Sequence, residues 1–176
     1  AVSERKSSDV KSTSCVYPDS LLRYAVIDVS APEVPIMDGS SQYFIEMLQK
    51  TDVVSQSAPR AFLKINKTVR IDKPGHWVEI SPSEQFSVDF TFDFKGRVDL
   101  PKQSLLFDGA PIDFVDELSQ ARTFGFYEDA EKLWAAGLAK GTSLENSVVF
   151  KDQKIMNEDG LRHQDEFVRH KVLDAL

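Results

Sequence analysis

The chain has a single cysteine, only three histidines and no long apolar run among its 176 residues. Cys15 has no second cysteine with which it could form an internal disulfide, a pattern typical of a reducing cytoplasm. No apolar segment approaches the length of a membrane span, and residues 1–14 lack the apolar core of a signal peptide. These absences predict a cytoplasmic chain that contacts a membrane at most peripherally.

Positive charge is also scarce, because 21 Lys and Arg residues stand against 28 Asp and Glu residues and give a net charge of −7. No basic tract is dense enough to follow a phosphate backbone, so a nucleic acid is excluded as the main partner. A small anionic ligand held by a few cations is compatible with this balance. Hydrophobic residues make up 41% of the chain, enough for the core of one domain or of one domain and part of another.

The first part of the chain divides into a polar tail, a strand, a loop and a helix. Residues 1–19 are rich in Ser, Lys and Asp without apolar periodicity, which is typical of a disordered tail. A strand is predicted at 21–30, before a proline-containing loop. Ser40 or Ser41 can cap a helix that runs to residue 50, and residues 56–60 read as a linker. That helix has one apolar face, formed by Phe44, Ile45 and Leu48.

Three later segments alternate apolar and polar residues, at 61–71, 76–82 and 86–94. Such alternation predicts an antiparallel meander with one face toward the core. In the third segment, every second side chain from Phe86 to Phe94 is apolar, so this stripe is predicted to lie in the core.

The second half predicts a short helix at 112–120, a strand at 121–126 and a helix at 128–139 that is ended by Gly137. A hairpin with its turn near Lys151–Gln153 and a closing helix follow. The predicted fold class is therefore α+β, a two-layer arrangement with helices packed on one face of a sheet.

The closing helix carries the residues with the clearest chemical potential. His170 and Asp174 are four residues apart, so on a helix they lie one above the other and can reach a single metal ion. Glu166 extends this stripe by one turn and is a candidate third ligand. An ordinary side-chain contact between His170 and Asp174 is the structural alternative, because zinc usually takes at least three protein ligands.

Three blocks of sequence carry a family resemblance: APEVPIMDGS from residue 31, SQARTFGFYEDAEKLWAAGLAKGTSLENSVVF from residue 119, and KIMNEDGLRHQDEFVRHKVLDAL from residue 154. In order and spacing they resemble the UDP-3-O-acyl-N-acetylglucosamine deacetylases, the zinc amidases of lipid A biosynthesis in Gram-negative bacteria. The resemblance implies zinc-dependent hydrolysis of the substrate's acetamide. It also implies two duplicated domains, with residues 20–56 ending the first and residues 57–176 forming a truncated second.

The resemblance assigns roles to six residues. His170 and Asp174 correspond to zinc ligands, and Thr123 to a threonine that stabilises the tetrahedral oxyanion. Lys171 corresponds to a lysine that contacts the substrate's diphosphate or sugar. The aromatic side chains near the uridine-diphosphate and hexosamine end of the site correspond to Phe124 and Phe126. A strand threonine, a solvated lysine and two core phenylalanines are the structural alternatives.

Two motifs of the family are missing from this sequence. Its members carry a Glu-His pair before the APEVPIMDGS loop and a further histidine after the last helix, whereas this chain has only His76, His163 and His170. The resemblance therefore predicts a fragment, or a rearranged or degenerate copy, with little activity of its own. Loss of a general base alone costs roughly 10²- to 10⁴-fold in rate.

Two further readings stay open: a non-enzymatic remnant with weak affinity for zinc or a nucleotide-sugar, and an α+β interaction domain without inherited chemistry. A monomer is expected. If the final helix lacks packing partners, it should be the least stable element, with rapid hydrogen exchange from about Glu166 and slow exchange in the meander.

Overall fold

The structure is a computed structural model that describes residues 34–52, 54, 57, 63–109 and 114–176. The predicted tail, the strand at 21–30 and most of the linker at 56–60 lie outside the described residues. The described elements, in chain order, are α1 (Gln42–Gln49), β1 (Val69–Lys73), β2 (His76–Ile80), β3 (Val88–Phe92), β4 (Gln103–Phe107), a π-helix (Phe114–Leu118), β5 (Phe124–Phe126), α2 (Tyr127–Ala135), β6 (Val148–Lys151), β7 (Lys154–Ile155) and α3 (Glu166–Ala175). These mixed elements confirm the α+β class. Among the described helices, none has the length and apolarity needed to cross a membrane.

Helix α1 begins where the sequence predicts, and both serines at its start are engaged. The Ser40 hydroxyl accepts a hydrogen bond from the Gln42 N–H at 3.3 Å, satisfying one of the free donors of the first turn. The Ser41 hydroxyl instead donates to the Ser119 carbonyl at 3.2 Å. Ser41 occupies the N-cap position without a side-chain cap and ties the helix to the segment that follows the π-helix, while the Ser40 hydroxyl supports the first turn.

The predicted meander is wrong in its pairing, because its strands belong to two separate sheets. Strands β1 and β2 form an antiparallel hairpin with Val69 opposite Ile80. Strand β3 pairs with β4, which the alternation did not predict, and Val88 lies opposite Phe107. The segment between β2 and β3 contains Pro82, which has no N–H to donate to a ladder, and this favours the break.

The apolar stripe of β3 is confirmed for most of its length. Val88, Phe90 and Phe92 are partly buried and Phe94 is buried, whereas Phe86 lies before the strand and is half exposed. The stripe therefore begins where strand pairing begins.

The third sheet has the order β5-β6-β7. Strands β5 and β6 are parallel and are joined through α2, whose C-terminal end is made at Gly137, with φ of +78°. There the Leu138 N–H donates to the Leu133 carbonyl at 2.8 Å, as in a Schellman motif. Strands β6 and β7 form the predicted hairpin, whose turn residues Asp152 and Gln153 both have positive φ, as a type I′ turn requires.

Helix α3 joins the two hydrophobic clusters of the core. Its Val172 belongs to a cluster with Ile45, Phe107, Phe114 and Leu118. Its Phe167 belongs to a second cluster with Phe94, Val98, Val148 and Phe150. The helix also packs against β3, β4 and the π-helix. The expectation that α3 is the least stable element is therefore not supported, because its Phe167, Val168 and Val172 side chains are completely buried.

We expect hydrogen exchange to be slow in α3 and fast in the β1–β2 hairpin, the reverse of the order expected from the sequence. All ten residues of β1 and β2 are exposed, whereas five residues of α3 are buried. Amides protected only by an exposed hairpin open with a small free energy, and amides in a core helix open with nearly the global one. Exchange measured by NMR or mass spectrometry checks this order, and a protected hairpin beside an unprotected α3 would contradict it.

Candidate functional site

An apolar groove of about 380 Å³ lies between the loop before α1, the start of β5 and helix α3. Its apolar wall includes Val34, Pro35, Ile36, Phe44 and Leu173, and its polar lining includes Ser40, Thr123 and His170. Two of the residues that the sequence singled out, Thr123 and His170, are thus brought to one groove from distant segments of the chain. Apolar walls with a few convergent polar groups are typical of a ligand site.

The imidazole of His170 is held in one orientation by the main chain. Its Nδ1 lies 2.9 Å from the Ala121 carbonyl oxygen, and the side chain is 9% exposed. Because a carbonyl can only accept a hydrogen bond, Nδ1 carries a proton and donates it. In the neutral ring, Nε2 then has a free lone pair, which is the state required of a metal ligand or a proton acceptor.

Asp174 faces that lone pair. Its Oδ1 lies 3.4 Å from His170 Nε2, and its Oδ2 lies 2.6 Å from the Lys171 ammonium. Two acceptor atoms at this separation favour a cation shared between them. Lys171 is also 5.3 Å from the centre of the Phe124 ring. The charges of Lys171 and Asp174 therefore lie together beside His170.

Thr123 is positioned through its main chain on both sides. Its N–H donates to the Gly39 carbonyl at 2.8 Å, and its own carbonyl accepts from the Val148 N–H at 2.8 Å. Thr123 is among the residues that line the groove, so its side chain can contact a ligand bound there.

The two phenylalanines have different surroundings. Phe124 packs edge-to-face on Phe167 at 4.9 Å between ring centres, and it lies 6.4 Å from the His170 ring. Phe126 stacks on Phe150 at 5.5 Å and is covered by the Arg97 guanidinium at 3.5 Å. Phe126 lines a separate cavity of about 200 Å³, so the groove beside His170 and Thr123 does not include it.

Glu166 is not a metal ligand, which corrects the expectation from its place on the helix stripe. Its side chain is completely buried, and it forms an ion pair with Arg122 at 2.9 Å. Burial opposes ionisation of Glu166, but hydrogen bonds from the Arg122 guanidinium and from the main-chain N–H groups of Arg122 and Arg162 hold its pKa below the usual value. Over the described ranges, no group of three or more His, Cys, Asp and Glu residues could hold a metal ion.

Asp38 and Gly39 each contact a segment far away in the chain. Asp38 accepts hydrogen bonds from the Ser40 N–H and hydroxyl and pairs with Arg162 at 2.8 Å. Burial opposes its ionisation, yet these hydrogen bonds hold the Asp38 pKa below the usual value. Gly39 lies so close to the Asn146 carbonyl that an added Cβ would be 2.0 Å from its oxygen. A local sequence pattern carries no signal for the contacts with Arg162 and Asn146, since these partners are more than 100 residues away.

The described geometry defines an α+β domain with an oriented histidine, an aspartate and a threonine beside an apolar groove. A family model described as LpxC, UDP-3-O-acyl N-acetylglycosamine deacetylase, matches residues 21–176. The chain belongs to this deacetylase family.

Curated relatives agree with that assignment. The chain is 45% identical over 152 residues to UDP-3-O-acyl-N-acetylglucosamine deacetylase of Shewanella violacea and 47% identical over 152 residues to that of Hamiltonella defensa. It is 46% identical over 157 residues to the protein of the same name from Nitrosococcus oceani. Each match covers 86% of this chain and 50% of the relative. The chain thus spans about half the length of the curated relatives it matches.

Proposed function

We propose that this chain is part of a cytoplasmic, zinc-dependent deacetylase that hydrolyses the acetamide of UDP-3-O-acyl-N-acetylglucosamine. Residues 20–56 then end the first of two duplicated domains, and residues 57–176 form most of the second. The observation that carries the proposal is the pair of facing acceptors, His170 Nε2 and Asp174 Oδ1, at 3.4 Å beside the groove. The names of the relatives supply the substrate.

The two donor atoms, His170 Nε2 and Asp174 Oδ1, fit zinc in chemical type and in separation. Zinc bonds to imidazole nitrogen and carboxylate oxygen are each about 2.0–2.2 Å, so two ligand atoms at a tetrahedral angle are roughly 3.3–3.6 Å apart. The observed 3.4 Å lies in this range. His170 and Asp174 would hold the metal, and other parts of the whole protein would complete its coordination. When bound, zinc supplies an activated water and polarises the amide carbonyl.

Thr123, Lys171 and Phe124 stabilise the transition state or bind the substrate. The Thr123 hydroxyl donates a hydrogen bond to the oxyanion that develops on the acetamide carbonyl. The Lys171 ammonium binds the anionic diphosphate or the sugar, and Phe124 provides an apolar surface next to it. The Ala121 carbonyl keeps His170 in the tautomer that a metal ligand needs. Phe126 lies against a different cavity, so its substrate contact would require a ligand that extends beyond the groove.

We expect the chain to bind Zn²⁺ weakly and through His170 and Asp174. Titration calorimetry should show that His170→Ala and Asp174→Asn each lower the affinity by at least the roughly 10- to 100-fold that loss of an outer-shell partner costs. Binding should also weaken as acid protonates the ligand imidazole, because only the neutral ring can bind a metal. His76→Ala is the matched control, since His76 lies in the exposed hairpin β1–β2.

Two results would contradict this proposal. One is zinc affinity that His170→Ala leaves unchanged, which would place any bound metal elsewhere. The other is an equal loss in the control His76→Ala, which would show nonspecific binding to imidazoles.

A further inference from the structure

The Arg122–Glu166 ion pair is almost completely buried. The exposed fraction of the side chain is 3% for Arg122 and 0% for Glu166. Removing two charges from water is costly, and replacement of such a pair by apolar residues is often neutral or stabilising. A contribution to stability alone is therefore a weak reason for this pair.

The pair connects the two segments that carry the candidate site. Arg122 immediately precedes Thr123, and Glu166 lies one helical turn before His170 on α3. Glu166 Oε1 accepts both the Arg122 main-chain N–H and its Nε at 2.9 Å. The carboxylate therefore holds the backbone next to Thr123 as well as the guanidinium.

A second contact lies one turn further along α3. The Ala121 carbonyl accepts the hydrogen bond from His170 Nδ1, so residues 121 and 122 are bound by α3 at two points, His170 and Glu166. The Thr123 N–H, next in the chain, binds the Gly39 carbonyl in the loop that lines the groove. The Ala121 carbonyl and the N–H groups of Arg122 and Thr123 thus fix the segment before β5 against helix α3 and against the loop at Gly39.

The other hydrogen bonds of the pair extend the connection to the groove wall. Glu166 Oε2 accepts the Arg162 N–H at 2.7 Å, and the Arg162 guanidinium pairs with Asp38 at 2.8 Å. Arg122 Nη2 donates to the Gly160 carbonyl at 2.7 Å, and its Nη1 pairs with Asp159 at 3.2 Å. Both carboxylate oxygens of Glu166 and all three guanidinium nitrogens of Arg122 are therefore hydrogen-bonded.

We propose that Arg122 and Glu166 are positioning residues that set the imidazole of His170 and the hydroxyl of Thr123 in a fixed relation across the groove. Their role in catalysis rests on the proposed function, but the fixed geometry does not depend on a bound metal. Glu166 acts on His170 by holding the Ala121–Arg122 backbone against α3, which keeps the Ala121 carbonyl on Nδ1.

Replacing both Arg122 and Glu166 by apolar residues distinguishes an effect on the orientation of His170 from an effect on the stability of the fold. We expect the double variant Arg122→Met with Glu166→Leu to melt at a higher temperature than Glu166→Leu alone, because no buried charge is left unpaired. Both variants lose the carboxylate that accepts the Arg122 and Arg162 main-chain N–H groups, so this loss cancels in the comparison. In the double variant, His170 should nevertheless lose the single Nδ1–H tautomer, which long-range ¹H–¹⁵N NMR of the metal-free protein reports directly. Zinc affinity should fall roughly 10- to 100-fold, as for other losses of support to a ligand.

Single variants test the same inference if the double variant does not fold. Glu166→Gln keeps an oxygen for the Arg122 N–H but removes the charge, so a mixture of the two tautomers is expected. Asp165→Asn is the matched control, because it breaks an ion pair with Arg169 at the start of the same helix without touching residues 121–123. The control should leave the tautomer unchanged.

The outcomes distinguish this inference from the proposed function. If Glu166→Gln or the folded double variant keeps the wild-type tautomer, the pair is merely structural and the inference is overturned, even if zinc binds at His170. If the variants lose the tautomer while the wild type binds no zinc through His170, the positioning role stands and the proposed metal site fails.

Discussion

Replacing Phe167 by alanine is expected to lower the free energy of unfolding by about 3–5 kcal/mol, the usual range for a buried Phe-to-Ala change. Its side chain is fully buried and meets three aromatic rings, those of Phe94, Phe124 and Phe150, at centre distances of 5.3, 4.9 and 5.1 Å. The lost ring would leave a cavity between α3 and two sheets, so neighbouring side chains could collapse into it only in part.

The same change should disturb the site, because Phe124 packs on Phe167 and lies beside His170 and Lys171. Thermal unfolding should show a fall in melting temperature of roughly 6–20 °C for a chain of this size. Phe86→Ala is the control, since Phe86 is half exposed, and its cost should stay below about 1 kcal/mol. A Phe167→Ala variant as stable as Phe86→Ala would show that the aromatic cluster does not form the core.

Replacing Gly39 by alanine is expected to move the loop that lines the groove. A Cβ at this position would lie 2.0 Å from the Asn146 carbonyl oxygen and 3.3 Å from Thr123 Cγ2. Since the first distance is far inside van der Waals contact and the obstacle is main chain, the backbone itself must shift. The Gly39 carbonyl would then lose its hydrogen bond to the Thr123 N–H. We expect a destabilisation of several kcal/mol together with a displaced Thr123.

Gly96→Ala is a matched control for the cost of placing an alanine at positive φ. Gly96 has φ of +76°, close to the +80° of Gly39, but an added Cβ would meet no atom within 4 Å. Both variants carry the cost of an alanine at positive φ, about 1–2 kcal/mol. Only Gly39→Ala also brings a Cβ into collision with the Asn146 carbonyl oxygen. Chemical denaturation gives both free energies, and NMR shifts of Thr123 report the movement; equal losses in the two variants would exclude close approach as the cause.

The elements that sequence periodicity predicted are those whose contacts are local. Helix α1 follows from the spacing of Phe44, Ile45 and Leu48, and the turn at Asp152–Gln153 follows from the hairpin pattern around it. The His170 and Asp174 side chains lie close together because they are one helical turn apart. In each case the interacting residues are within a few positions, so the backbone geometry of one element is sufficient.

The pairing of the strands could not be predicted in the same way. Alternation in residues 61–94 indicates strands but does not say which neighbour each will pair with, since every strand edge offers the same hydrogen-bonding groups. Strand β3 pairs with β4 rather than β2 because β4 places Leu105 and Phe107 against the core beneath α3. That choice depends on packing from a helix about 60 residues later.

The amino-acid sequence by itself determined the α+β class, the family and the His170–Asp174 pair, because each depends on periodicity, spacing or residue identity along the chain. Only the tertiary structure decided that Glu166 faces Arg122 rather than a metal, and that Gly39 must have no side chain against Asn146. The physical reason is that burial and close approach arise between segments far apart in sequence. A helical stripe shows which side chains share a face, but not which of them the rest of the fold will cover.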